Sequence, residues 1–77
     1  MTELQKDIFD KMAEAWGAPG FTRPEAGRFS GNLIAPKTLA NLASKGQGPP
    51  FNWYRGRAYY EVDTFVAWLR QWAKGGR

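Results

Sequence analysis

The chain has no cysteine and no histidine among its 77 residues. No disulfide can brace it, no thiolate or imidazole can hold zinc, and the usual nucleophile–base pairs are missing. No apolar run approaches the roughly 18 residues needed to cross a bilayer. The stretch from Leu4 to Trp16 is broken by charges throughout, unlike a secretory signal. The remaining acids resemble helix caps and helix-surface residues, with no convincing catalytic pair or metal cluster. These absences predict a soluble, cytoplasmic protein that is not an enzyme, carries no metal or cofactor and contacts no membrane.

Acid is also missing from one particular place. Net charge is +4, distributed unevenly. Residues 1–22 sum to −2, from Lys6 and Lys11 against Glu3, Asp7, Asp10 and Glu14. Residues 23–60 sum to +5, with Arg23, Arg28, Lys37, Lys45, Arg55 and Arg57 against Glu25 alone. Residues 61–77 add +1. A basic segment of this kind steers toward polyanions, although a merely solvated face would also be basic.

That basic middle contains the stretch on which the reading turns. Pro36 suits the first position of a helix and Gly46 the position just past its end, so residues 36–45 are predicted as one short helix. Leu39, Leu42 and Ala43 share one face. Lys37, Thr38, Asn41, Ser44 and Lys45 fall on the other, an inventory suited to phosphate oxygens and base edges.

Before it, Leu4, Ile8, Met12 and Trp16 recur every fourth residue, with Phe9 beside them, predicting an amphipathic helix over 3–16 capped by Thr2. The stripe covers the domain's own core or forms a partner surface. Gly17 to Gly20 read as a turn or short linker. Thr22-Arg23-Pro24-Glu25 carries a capping-box signature, with Phe21 as a staple, and starts a helix to about Phe29. Ala26 and Phe29 form its apolar side, and Gly27 allows close approach. Ser30-Gly31-Asn32 ends it, and Leu33 and Ile34 tie it to the next helix. Residues 22–45 thus read as helix–turn–helix, a spacing that also occurs in proteins that never touch DNA.

After the Gly-Pro stop at 46–50, the aromatic runs Phe51–Tyr54 and Ala58–Tyr60 read as a hairpin whose tip, Arg55-Gly56-Arg57, holds two arginines. Residues 61–74 follow as a helix with the densest apolar stripe, Val62, Phe65, Leu69 and Trp72. Trp53, Tyr60, Phe65, Trp68 and Trp72 are expected in the core. The expected division is an N-terminal helix and linker over 1–20, the main domain over 21–74 and a frayed tail over 75–77.

In this order the chain resembles the excisionase-like and AlpA-like winged helix–turn–helix family, a branch of the MerR-type DNA-binding domains. The resemblance rests on Phe21-Thr22 with Glu25-Ala26, Thr38-Leu39 with Leu42, Gly48-Pro49-Pro50-Phe51, and Gly56-Arg57 followed by Tyr60, Phe65, Trp68 and Leu69. It covers about residues 21–70. Departures include Gly27 where the family usually has Ala and Ser30 where Leu is common.

The resemblance implies an α+β, mostly helical fold: a winged helix–turn–helix with a two-stranded wing, an extra N-terminal helix and a closing C-terminal helix. It implies a binder of double-stranded DNA, a recombination directionality factor (excisionase) of a phage or integrative element, or else a phage-type transcriptional regulator. The implied partners are duplex DNA, a site-specific integrase and further copies of the chain on DNA. In this reading Asn41 pairs with adenine, Lys37 reaches guanine or phosphate, and Thr38, Ser44 and Lys45 fix register on phosphates. Arg55 and Arg57 act from the wing in the minor groove or on phosphates, while Thr22, Arg23 and Arg28 anchor the backbone. A rival class is a protein-interaction module that uses the N-terminal helix.

Overall fold

The computed structural model describes residues 7–75. Helix α1 (Ile8–Trp16) begins one residue after Asp7, whose side chain accepts a hydrogen bond from the Asp10 backbone N–H at 2.9 Å. Asp7 therefore caps α1; the cap expected at Thr2 lies outside the described residues. Strand β1 (Gly20–Thr22) follows, then a 3-10 turn (Arg23–Glu25) running straight into α2 (Ala26–Phe29). The capping box forms as read: the Glu25 carboxylate accepts from the Thr22 N–H at 2.9 Å and from its hydroxyl at 3.1 Å. Helix α3 (Pro36–Ser44) starts at its proline, and Gly46 lies left-handed just beyond its end. Lys45, expected as the last helical residue, is instead the C-cap. Strands β2 (Asn52–Tyr54) and β3 (Arg57–Glu61) form the hairpin, and α4 (Val62–Gly75) closes the chain.

The sheet is antiparallel with order β1-β3-β2, so the hairpin gains a third strand that local sequence pattern did not announce. Phe21 is opposite Tyr60 in that register and is fully buried in the core, in one cluster with Ala26. Its ring meets Trp16, Phe29, Tyr60 and Phe65 at centroid separations of 4.6–5.9 Å. Burying each such ring stabilises a small domain by about 1.5–3 kcal/mol. Gly20 permits the pairing, because a Cβ there would lie 2.6 Å from the Tyr60 carbonyl oxygen.

One hydrophobic cluster joins β1, α2, α3, β3 and α4 through Phe21, Ala26, Phe29, Leu39, Tyr60, Phe65 and Leu69. Phe9, Met12, Ala13 and Trp16 pack on its edge, so most of the α1 stripe covers this core. Arg70 of α4 fixes α1 with hydrogen bonds of 2.7 and 3.0 Å to Asp7 and 3.0 Å to Asp10. Of the two expected ties between α2 and α3, Ile34 is buried but Leu33 is exposed. The second anchor of that turn is polar. Ser30, buried, donates from Oγ to the Ala26 carbonyl at 2.8 Å and accepts from the Ile34 N–H at 3.3 Å. A leucine there could not hold the turn in this way.

Candidate nucleic-acid interface

Helix α3 turns Leu39 fully into the core, while Leu42 and Ala43 are half-buried on the same side. Helical spacing then puts Lys37, Asn41 and Ser44 outward, and all three are exposed, as is Lys45 at the C-cap. Thr38 is half-buried. The Ser44 hydroxyl donates to the Asn41 carbonyl at 2.9 Å, which leaves its lone pairs, rather than its proton, for an outside group.

The hairpin tip is a two-residue turn closed by the Tyr54–Arg57 pair. Arg55 and Gly56 both have positive φ, 52° and 78°, the type I′ pattern that matches strand twist. Glycine accepts that conformation freely; arginine does not. Both Arg55 and Arg57 are exposed. Among the described residues no ion pair involves Lys37, Lys45, Arg55 or Arg57. Two acids at the start of α1 are engaged elsewhere: Arg70 holds Asp7 and Asp10, and its guanidinium keeps the Asp7 carboxyl well below the usual carboxylate range.

The 3-10 turn packs against both α3 and β3, so it links the basic helix to the basic hairpin. Its Arg23 is half-buried. The side chain donates from Nε to the Tyr60 hydroxyl at 3.1 Å, and its Cζ stands 4.9 Å from the Phe51 ring centre and 5.8 Å from those of Trp53 and Tyr60. Arg23, expected as an anchor for the DNA backbone, lies in an aromatic nest between helix and hairpin, and its buried Nη2 has no hydrogen-bond partner among the described residues. Thr22 is committed within the fold, since its hydroxyl donates to Glu25. Arg28 is exposed, 3.7 Å from Glu25 and stacked over Trp16 at 5.6 Å.

No family model, no curated protein and no solved structure matches the chain.

One placement reverses the sequence reading. Trp53, expected in the core, is 62 % exposed. Trp53 is opposite the buried Ala58 and so shares the core-side face of the sheet, but it belongs to the edge strand β2, outside the central strand β3 that the core covers. Tyr54 and Tyr59 are exposed on the opposite face, their rings 6.0 Å apart. The site therefore has an aromatic component as well as a cationic one. Trp68 and Trp72, also expected in the core, are only partly buried against it. Away from this face, Ile8 is 58 % exposed beside a groove of about 600 Å³ lined by Met12, Trp16, Arg28 and Phe29.

Proposed function

We propose that this chain binds double-stranded DNA as a winged helix–turn–helix protein. Helix α3 enters the major groove, where Asn41 pairs with adenine and Lys37 contacts guanine or phosphate. Thr38, Ser44 and Lys45 fix register on phosphates, the Ser44 hydroxyl turning its proton from the Asn41 carbonyl to a phosphate oxygen. The β2–β3 hairpin is the wing, with Arg55 and Arg57 on phosphates or in the minor groove. The role that best fits the resemblance is a recombination directionality factor that assists a site-specific integrase; transcriptional control uses the same binding mode. The observation that carries the reading is charge placement. Lys37, Lys45, Arg55 and Arg57 stand exposed on two elements joined by one turn, in a stretch without an acid from Ala26 to Tyr60. Such a surface loses its counterions favourably to a polyanion.

The test is an amide NMR titration with a short mixed-sequence duplex at low salt. Shifts concentrated in residues 36–45 and 54–58, reversed by added salt, are the expected result. Shifts absent there overturn the reading. Shifts appearing only around Ile8 and the neighbouring groove, on adding a protein partner, favour the interaction module that the exposed Ile8 supports.

A further inference from the structure

We propose that Trp53 is a DNA-contacting side chain of the wing, an apolar and salt-independent contact set among the cationic ones. The inference rests on the DNA-binding reading above and names a contact that reading lacks.

Four observations converge. First, an indole at 62 % exposure is costly on a small domain that buries its other large core-side rings, Phe21 and Tyr60, almost completely. Second, Trp53 is not on the bare outer face of the sheet with Tyr54 and Tyr59. It shares the side on which the helices pack, the side that the 3-10 turn connects to α3. Third, its ring is held. It meets Phe51 edge to face at 5.5 Å and has the Arg23 guanidinium 5.8 Å from its centre. A ring fixed before binding loses little entropy when it is covered. Fourth, cations bracket it along the hairpin: Arg23 is beside the ring, Arg55 is at the tip, and Arg57, opposite Tyr54, is one register position further on and faces the other side of the sheet.

An apolar ring in a cationic frame fits a partner that is anionic outside and offers flat or apolar surface within. Duplex DNA does both, through its phosphates and through the sugars and base edges of the groove wall. In this arrangement the arginines neutralise phosphates while the indole lies against the groove wall. Arg23 then acts as a positioning residue. From Tyr60 and Phe51 it reaches across to Trp53 and fixes the ring relative to the 3-10 turn.

The experiment compares wild type with Trp53→Ala, Trp53→Phe and Arg57→Ala, titrated with a labelled mixed-sequence duplex at several salt concentrations. Thermal melts of each free protein verify folding. Trp53→Ala is expected to weaken binding at least about fivefold at every salt, the scale of apolar surface lost when part of an indole is no longer covered, with an unchanged salt slope. Trp53→Phe is expected to recover part of that loss. Arg57→Ala is expected to flatten the slope by about one. DNA-induced quenching of indole fluorescence should fall sharply in Trp53→Phe. Unchanged affinity of Trp53→Ala, beside a weakened Arg57→Ala, overturns the role of Trp53 and leaves the DNA reading standing. A slope change in Trp53→Ala also overturns it, because the loss would then run through displaced arginines. No binding by wild type at any salt removes the DNA reading itself.

Discussion

Replacing Arg55 with asparagine should make the protein more stable and a poorer DNA binder. Arg55 holds φ 52° at the first central position of the hairpin turn, followed by Gly56 at φ 78°. The left-handed region costs an ordinary L-residue roughly 1–2 kcal/mol. Asparagine carries much less of that cost, and Asn-Gly is the favoured pair for this turn. Relief of about 0.5–1 kcal/mol is expected, since the site is exposed and no hydrogen bond of the Arg55 side chain is lost. For a domain of this size that raises Tm by roughly 2–8 °C. Binding moves the other way: one cation fewer lowers the magnitude of the salt slope by about one and weakens low-salt affinity for all sequences alike. Melting followed by circular dichroism, with anisotropy titrations at several salt concentrations, measures both. Arg55→Lys is the control, keeping the charge and the backbone cost together. A lower Tm for Arg55→Asn would refute the strain argument. An unchanged salt slope would refute the role of Arg55 at the wing.

Three further outcomes probe the frame behind that site. Gly20→Ala should cost about 1–3 kcal/mol, because the new Cβ meets the Tyr60 carbonyl at 2.6 Å and the Tyr59 ring at 3.2 Å; an unchanged melting temperature would contradict the β1–β3 register. Ser30→Ala should cost about 1–3 kcal/mol by leaving the Ile34 N–H without its acceptor, seen as a lower denaturant midpoint at constant m-value. Asp7 has a folded-state pKa below its unfolded value, first because Arg70 hydrogen-bonds its carboxylate and next because the Asp10 N–H does. Its contribution is therefore complete above the unfolded value of about 3.9 and is lost as pH falls below it. Asp7→Asn keeps an equivalent helix cap and removes the charge. Its melting temperature should fall short of wild type near pH 6, with the gap narrowing as pH falls below about 3.9 and closing only below the depressed folded-state pKa of Asp7.

What could be read from the sequence was what is encoded within a few residues. Pro36 and Gly46 bracket α3, Thr22 and Glu25 announce their own cap, and Gly56 marks the hairpin. The outward set Lys37, Asn41, Ser44 and Lys45 follows from helical spacing once Leu39 is known to be buried. What could not be read depends on partners distant in the chain. Strand β1 has only three residues, too few for an alternation to stand out, and exists because β3 lies 37–41 residues further on in the pairing register. Arg23 reads as a surface cation until Tyr60 and Phe51 close around it. Trp53 has the parity of a core residue, and parity cannot say which strand becomes the edge: its partner Ala58 on central β3 is buried while Trp53 on β2 is exposed. Leu33 fails for a related reason: Ser30 had already secured the turn with hydrogen bonds, so one apolar tie, Ile34, was enough.

The arginines divide by what surrounds them, and the division bears on function. Arg70 lies between two acids and locks α1 to α4. Arg23 is inside an aromatic nest and links the 3-10 turn to the sheet. Arg70 spends its charge within the fold, whereas Arg23 has no ion pair among the described residues and its buried Nη2 lacks a hydrogen bond. Arg55 and Arg57 have no acid within reach among the described residues, and Arg55 also holds a backbone conformation that favours glycine or asparagine. Stability alone would replace Arg55, since an uncharged turn residue lowers both the strain and the repulsion from Arg57. A cation kept at a net cost to the free protein gains its return in a complex, where a phosphate supplies the missing opposite charge. Strain at the hairpin tip and the absence of ion pairs there among the described residues both support the proposed polyanionic partner, the first by marking Arg55 as costly to the free protein and the second by leaving its charge unmatched.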